Sequence, residues 1–122
     1  MKRAIATATA AAVVASAPVP LPAPTADAVP IVGGQGLVPN AAALADYIRT
    51  TYPGVQSIGG VRPCDVIGEH CRGLAVDIMI GSNTVLGDTI LADIQSQTAR
   101  FGIRYTMWRV ANHHDHIHVT VS

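Results

Sequence analysis

The apolar positions of this chain change their repeat several times, and each change marks an element. Leu44, Tyr47 and Ile48 recur at helical spacing after Pro39-Asn40. That predicts a helix with Asn40 as its N-cap. Pro53-Gly54 ends it near Tyr52, because a residue before proline leaves the helical region. Residues 55–58 predict a short strand closed by Gly59-Gly60, and residues 61–72 carry no repeat and read as a loop. Residues 73–80 are nearly all apolar and rich in β-formers, the mark of a mostly buried strand. A second helix is predicted from a cap at Ser82 or Asn83. Its apolar side is Val85, Leu86, Ile90, Leu91, Ile94, Thr98 and Phe101, with Gly102 just past its end. Gly87 lies inside it and weakens it. Residues 103–110 and 116–121 predict two strands around a turn at 111–114, forming a hairpin. The sum is an α+β domain with a small, mainly antiparallel sheet and two helices.

The last strand carries the sharpest geometric expectation. Alternation places His116, His118 and Thr120 on one face and Ile117, Val119 and Val121 on the other. The apolar set faces the core and fixes the register of the polar set. In residues 73–80, Asp77 shares a face with Ala75 and Met79. If the two strands are near neighbours, Asp77 and His118 converge. His70 then has to reach them from the loop above.

Composition changes the picture at the N-terminus. Met1-Lys2-Arg3 precedes an Ala/Val/Thr run from residue 4 to 17, a proline-rich stretch to Pro24, and Ala26-Asp27-Ala28. This is the order of a secretory signal peptide, cut after Ala28 or after Ala17. A membrane anchor is the alternative, although the run is shorter than the roughly 20 apolar residues a span needs. An uncleaved low-complexity tail is another. We divide the chain into a signal peptide at 1–28, a linker at 29–38 and one domain at 39–122. The linker reading rests on three glycines and one proline between Val29 and Val38, with Pro39 just beyond. Removing residues 1–28 takes Lys2, Arg3 and Asp27 from eight basic and eight acidic residues. That leaves six arginines, seven acids and a formal charge near −1. No basic patch remains for a nucleic-acid backbone, and no cationic amphipathic helix points to a membrane surface.

Cys64 and Cys71 are the only cysteines. In a secreted chain an even count implies a disulfide, which would close a small loop beside His70. Thiolate ligation of a metal is the alternative. The remaining chemistry is a set of imidazoles and carboxylates: His70, Asp77, Asp115, His116 and His118. Two imidazoles and one carboxylate make a three-ligand set with one position left open, as catalytic zinc sites have. A solvated histidine-rich tail that binds metal weakly is the bland alternative. Tyr105 and Trp108 are candidates to line a cleft, and core packing is the competing role for Trp108.

Gly68-Glu69-His70-Cys71-Arg72-Gly73-Leu74-Ala75-Val76-Asp77 resembles the His-x-x-Gly-x-Ala-x-Asp motif of the D-alanyl-D-alanine metallopeptidases. These group with lysostaphin-type enzymes and the hedgehog signalling domain. Asp115-His116-Ile117-His118 resembles the second motif of that group, and Gly59-Gly60-Val61-Arg62-Pro63 its Ser-Gly-Tyr-Arg-type segment. The closest likeness is to small secreted actinobacterial domains of this type. The resemblance runs from about residue 40 to the end and keeps the motif order. It implies that His70, Asp77 and His118 are Zn2+ ligands and that Arg62 holds a substrate carboxylate or an oxyanion. One branch of the group uses a Glu three positions before the last ligand as base, a slot filled here by Asp115. The other uses a His two positions before it, the slot of His116. Alternation favours His116. The activity implied is hydrolysis of peptide bonds in peptidoglycan. The expected setting is secreted or at the cell wall, with peptidoglycan peptides as partners, no nucleic acid, no membrane after leader removal, and no second copy of the chain. A non-catalytic cell-wall or metal-binding module of the same fold is the alternative.

Overall fold

The computed structural model describes residues 29–122; the leader expected at 1–28 lies outside them. The fold is α+β. A five-stranded sheet holds β1 (Ile31–Val32), β2 (Ser57–Gly59), β3 (Ala75–Met79), β4 (Ile103–Met107) and β5 (His116–Val121), in the order β1-β2-β3-β5-β4. Only the β1–β2 pair is parallel; the other three are antiparallel. The helices are α1 (Pro39–Thr51), α2 (Thr84–Gln95) and the single turn α3 (Thr98–Phe101).

The segment read as a linker belongs to the sheet. Val29 is buried in the core, and Ile31 pairs with Ile58. Its glycines serve close approach instead of looseness. Val61 N–H donates to the Gly33 carbonyl at 2.8 Å. Gly33 has φ +78°, and a Cβ there would lie 2.2 Å from the Val61 carbonyl oxygen. Only a residue without a side chain allows both.

α1 begins two residues earlier than expected. Val38 is its N-cap and Pro39 occupies the first turn, where a fixed φ and a missing N–H cost nothing. Asn40 is therefore inside the helix, and its Nδ2 donates to the Ser122 carbonyl at 2.8 Å. Asn83, not Ser82, caps α2, accepting from Leu86 N–H at 3.1 Å. The long second helix is broken in two. Ser96 Oγ donates to the Asp93 carbonyl at 2.6 Å and Gln97 takes φ −120°, so the chain bends. The bend swings Phe101 into the core at 1% exposure, and Gly102 closes α3 in the left-handed region as expected. The predicted strand at 103–110 stops at Met107. Arg109 and Asn112 both take positive φ in the turn that follows.

Ile48, Leu44, Ile90, Ile94 and Phe101 from the helices meet Ile58, Val76, Ile78, Ile117, Val119 and Val121 from the sheet in one apolar core. The opposite face of β3 and β5 is polar. Among the described residues, no helix is long and apolar enough to cross a membrane.

Candidate metal centre

The register of β3 against β5 sets Asp77 opposite His118, Met79 opposite His116 and Ala75 opposite Thr120. Facing residues of an antiparallel pair stand close together, so two strands alone bring a carboxylate and an imidazole into contact. Asp77 Oδ1 lies 3.1 Å from His118 Nδ1. The loop between β2 and β3 carries His70 into the same space. Cys64 and Cys71 are bridged within that loop, so neither is a thiolate ligand. The bridge fits an oxidising compartment.

The protons of His70 follow from its neighbours. Its Nδ1 lies 2.9 Å from the Gly60 carbonyl. A carbonyl only accepts, so in the neutral ring Nδ1 carries the proton and Nε2 carries a lone pair. That Nε2 is buried and has no hydrogen-bond partner. It approaches Asp77 Oδ2 at 3.3 Å, a contact distance without hydrogen-bond alignment. An orphaned buried acceptor aimed at a carboxylate is what a cation site leaves exposed when only protein atoms are counted. The ligand atoms of His70, Asp77 and His118 lie within 4.8 Å of one another, and all three residues are buried. The group is chemically suited to a metal ion with nitrogen and oxygen ligands.

Its electrostatics agree. Burial by itself would raise the Asp77 carboxyl. Hydrogen bonds with His118 and Arg62, together with the close approach of the His70 ring, outweigh it and hold the group far below the usual carboxylate range. Arg62 Nη1 donates to Asp77 Oδ2 at 2.8 Å. Burial pulls the His70 imidazole down, but contact with Asp77 outweighs that and raises it.

A cleft of about 580 Å3 opens over the group, with Arg62, Tyr105, His113 and His116 in its walls. His116 Nδ1 lies 2.8 Å from Asp115 Oδ1, and its Nε2 lies 3.8 Å from Asp77 Oδ1. The Asp115 side chain is exposed and is not part of the cleft lining. The hydrogen bond to His116 holds its carboxyl below the usual range. Tyr105 lines the cleft; Trp108 does not. Trp108 packs against the core and donates Nε1–H to Asp88 Oδ1 at 2.9 Å.

Among the cleft residues that escaped the sequence reading are Glu69 and His113. Glu69 Oε1 lies 3.2 Å from His118 Nε2, and its only sequence signal is that it directly precedes His70. His113 packs its ring 4.9 Å from that of His116. It belongs to a histidine run that gives no hint which member folds inward.

No curated protein and no solved structure matches the chain. A family model described as VldE, C-terminal domain, matches residues 33–115. The match takes in Arg62, His70 and Asp77 and ends at Asp115, one residue before β5. It spans more than half of the chain, which therefore belongs to the VldE C-terminal domain family.

Proposed function

We propose that this protein is a secreted zinc peptidase that hydrolyses peptide bonds of peptidoglycan, in stem peptides or cross-links. The observation that carries the reading is the convergence of His70 Nε2, the Asp77 carboxylate and His118 Nδ1 at the floor of an open cleft. Zinc held by these three would supply Lewis acidity and a water with pKa near about 7.

The chain's own residues divide the remaining work. Asp115 accepts the His116 Nδ1 proton, which leaves a lone pair on Nε2 facing the ligand group. His116 is placed to take a proton from water and pass it to the leaving amine. Arg62 is nearly half exposed while it touches Asp77. Its outer guanidinium edge is free to hold a substrate carboxylate or a developing oxyanion. Tyr105 offers an aromatic wall for the peptide. The motif order, the disulfide and the leader-like N-terminus support a cell-wall substrate.

One observation favours a non-catalytic module instead. Asp115 occupies the slot of a base glutamate in one branch of the resembling enzymes, yet its side chain is exposed and lies outside the cleft lining. Metal analysis after dialysis, with His118→Ala as control, tests the centre. Incubation with purified cell wall tests the chemistry. Release of peptides or free amines by wild type but not by His118→Ala supports the peptidase. Stoichiometric zinc with no release supports the module. Absence of zinc from dialysed wild type overturns both.

A further inference from the structure

The turn between β4 and β5 forms part of the cleft wall, and its backbone is strained. Asn112 and His113 line the cleft from this turn, and His116 follows at the start of β5. Arg109 has φ +59° and Asn112 has φ +65°. Asparagine enters the left-handed region readily. Arginine does so only at a cost, because its Cβ crowds the following carbonyl. Arg109 N–H donates to the His113 carbonyl and His113 N–H donates to the Val110 carbonyl, both at 2.8 Å. These two bonds close the turn from Arg109 to His113.

The grip on Arg109 comes from outside the cleft. Asp88 on α2 accepts from Trp108 Nε1 at 2.9 Å and from Arg109 Nε at 3.2 Å through Oδ1, and from Arg109 Nη2 at 3.0 Å through Oδ2. Two donors of one guanidinium thus meet both oxygens of one carboxylate, the stronger form of such a pair. Both side chains are about half exposed, and an isolated exposed pair contributes little. Here the pair belongs to a network. The Trp108 ring packs against the core and lies over Gly87, the residue before Asp88. Gly87 seats the ring and Asp88 takes its N–H. Two adjacent residues of α2 therefore hold the two adjacent residues that lead into the turn. At the other end of the turn, the His113 ring packs 4.9 Å from the His116 ring, and His116 Nε2 stands 3.8 Å from Asp77 Oδ1.

We propose that Asp88 is a positioning residue for the cleft. By clamping Trp108 and Arg109 it holds the strained turn in place, and the turn packs His113 against His116 and fixes the direction of that imidazole. The inference rests on the peptidase reading for what His116 does, but not for what Asp88 holds. Asp88 itself lies outside the cleft lining, so it acts only through the turn.

Asp88→Ala places a strong helix former on an exposed helix position, so the variant is expected to fold with an unchanged denaturation midpoint. Backbone order parameters from NMR relaxation read the turn. Residues 109–114 are expected to fall from about 0.85, the value of rigid backbone, to below about 0.6. Steady-state kinetics on cell-wall peptides read the consequence. kcat is expected to fall roughly 10-fold with KM nearly unchanged, since misplacing a catalytic group by about 1 Å costs up to roughly 100-fold in rate. Zinc content is expected to stay at the wild-type level, because none of the three ligands lies on the turn. Adding Arg109→Gly to Asp88→Ala removes the strain at its source and is expected to recover part of both losses.

A turn that is as rigid in Asp88→Ala as in wild type overturns the proposal, and so does a turn already mobile in wild type. A loosened turn with unchanged kcat overturns it as well, as does a double variant no better than Asp88→Ala. A wild type with a rigid turn that hydrolyses no peptide overturns the peptidase reading instead, and with it the role given to His116, while the order parameters still decide whether Asp88 holds the turn.

Discussion

His116 and Asp115 were competing candidates for one role, and the side-chain geometry gives them different ones. His116 faces the ligands, and Asp115 stands behind it as a hydrogen-bond acceptor. In the peptidase reading, His116→Ala is expected to lower turnover by roughly 10²–10⁴-fold, the usual worth of general acid–base catalysis. Zinc content is expected to stay unchanged, since the three ligands remain. Asp115→Asn keeps an acceptor oxygen and is expected to cost clearly less. Turnover measured beside metal content checks the pair, and the reverse ranking would make Asp115 the base. A second residue-scale outcome concerns Tyr52, whose hydroxyl donates to Asp93 Oδ2 at 2.6 Å. Burial, then the Asp93 carboxylate, push its phenol from 10.0 up to about 12. A folded pKa above the unfolded one means the contribution is intact below pH 10. It is lost as pH rises from 10 toward 12. Absorbance titration is expected to show a late step at about pH 12 that disappears in Tyr52→Phe. Ionisation of every tyrosine near pH 10 in the folded protein would contradict it. At this scale the sequence was most legible where a period of two applied. Alternation put His116 and His118 on one face of their strand, and Asp77 on one face of its own with Ala75 and Met79, without any knowledge of the fold. Glu69 sits in a loop with no repeat, and its hydrogen-bond partners Tyr105 and Thr120 lie 36 and 51 positions away.

Elements were legible wherever punctuation and periodicity agreed, as at Pro53-Gly54 and Gly102. They were misread where a glycine has a packing reason. The glycines of residues 29–38 suggested looseness, yet they let the backbone of β1 close on residues 60–61. Gly87 in α2 is a similar case. Its position costs helix propensity, and alanine would ordinarily gain about 1 kcal/mol there. A Cβ at Gly87 would meet the Trp108 ring at 2.3 Å. Gly87→Ala is therefore expected to destabilise, by about 1–3 kcal/mol, as measured by denaturant unfolding. A more stable variant would mean that Trp108 moves aside freely. The disulfide loop gives a second outcome at this scale. Closing a loop of this size is worth about 2.5 kcal/mol in the chain-entropy account. Replacing Cys64 and Cys71 together by serine is expected to lower unfolding free energy by about that much. It should also weaken zinc binding, because His70 is next to the bridge. Unchanged affinity would show that Gly60 alone holds His70 in place.

The molecule as a whole separates its duties by sheet face: helices and core on one side, cleft on the other. Sequence reading reached the fold class and the final hairpin, but it left the neighbouring of β3 with β5 as a condition and did not reach the order β1-β2-β3-β5-β4, which depends on pairings between distant segments. That order has a consequence for when a metal can be captured. Asp77 and His118 are 41 positions apart in the chain, and α2, α3 and β4 lie between them. β5 docks beside β3 only after this long excursion has folded back, a slow class of event. Before then the growing or refolding chain offers scattered single donors and no chelate. Zinc is thus expected to slow unfolding while leaving the refolding rate as it was, since its interactions are absent from the folding barrier. Stopped-flow kinetics with and without zinc checks this, and faster refolding would mean that the ligands gather early. In the metal-centre reading, a protein built this way would select its metal with a finished cavity, after folding, so the compartment that the completed chain reaches would decide the identity of the ion.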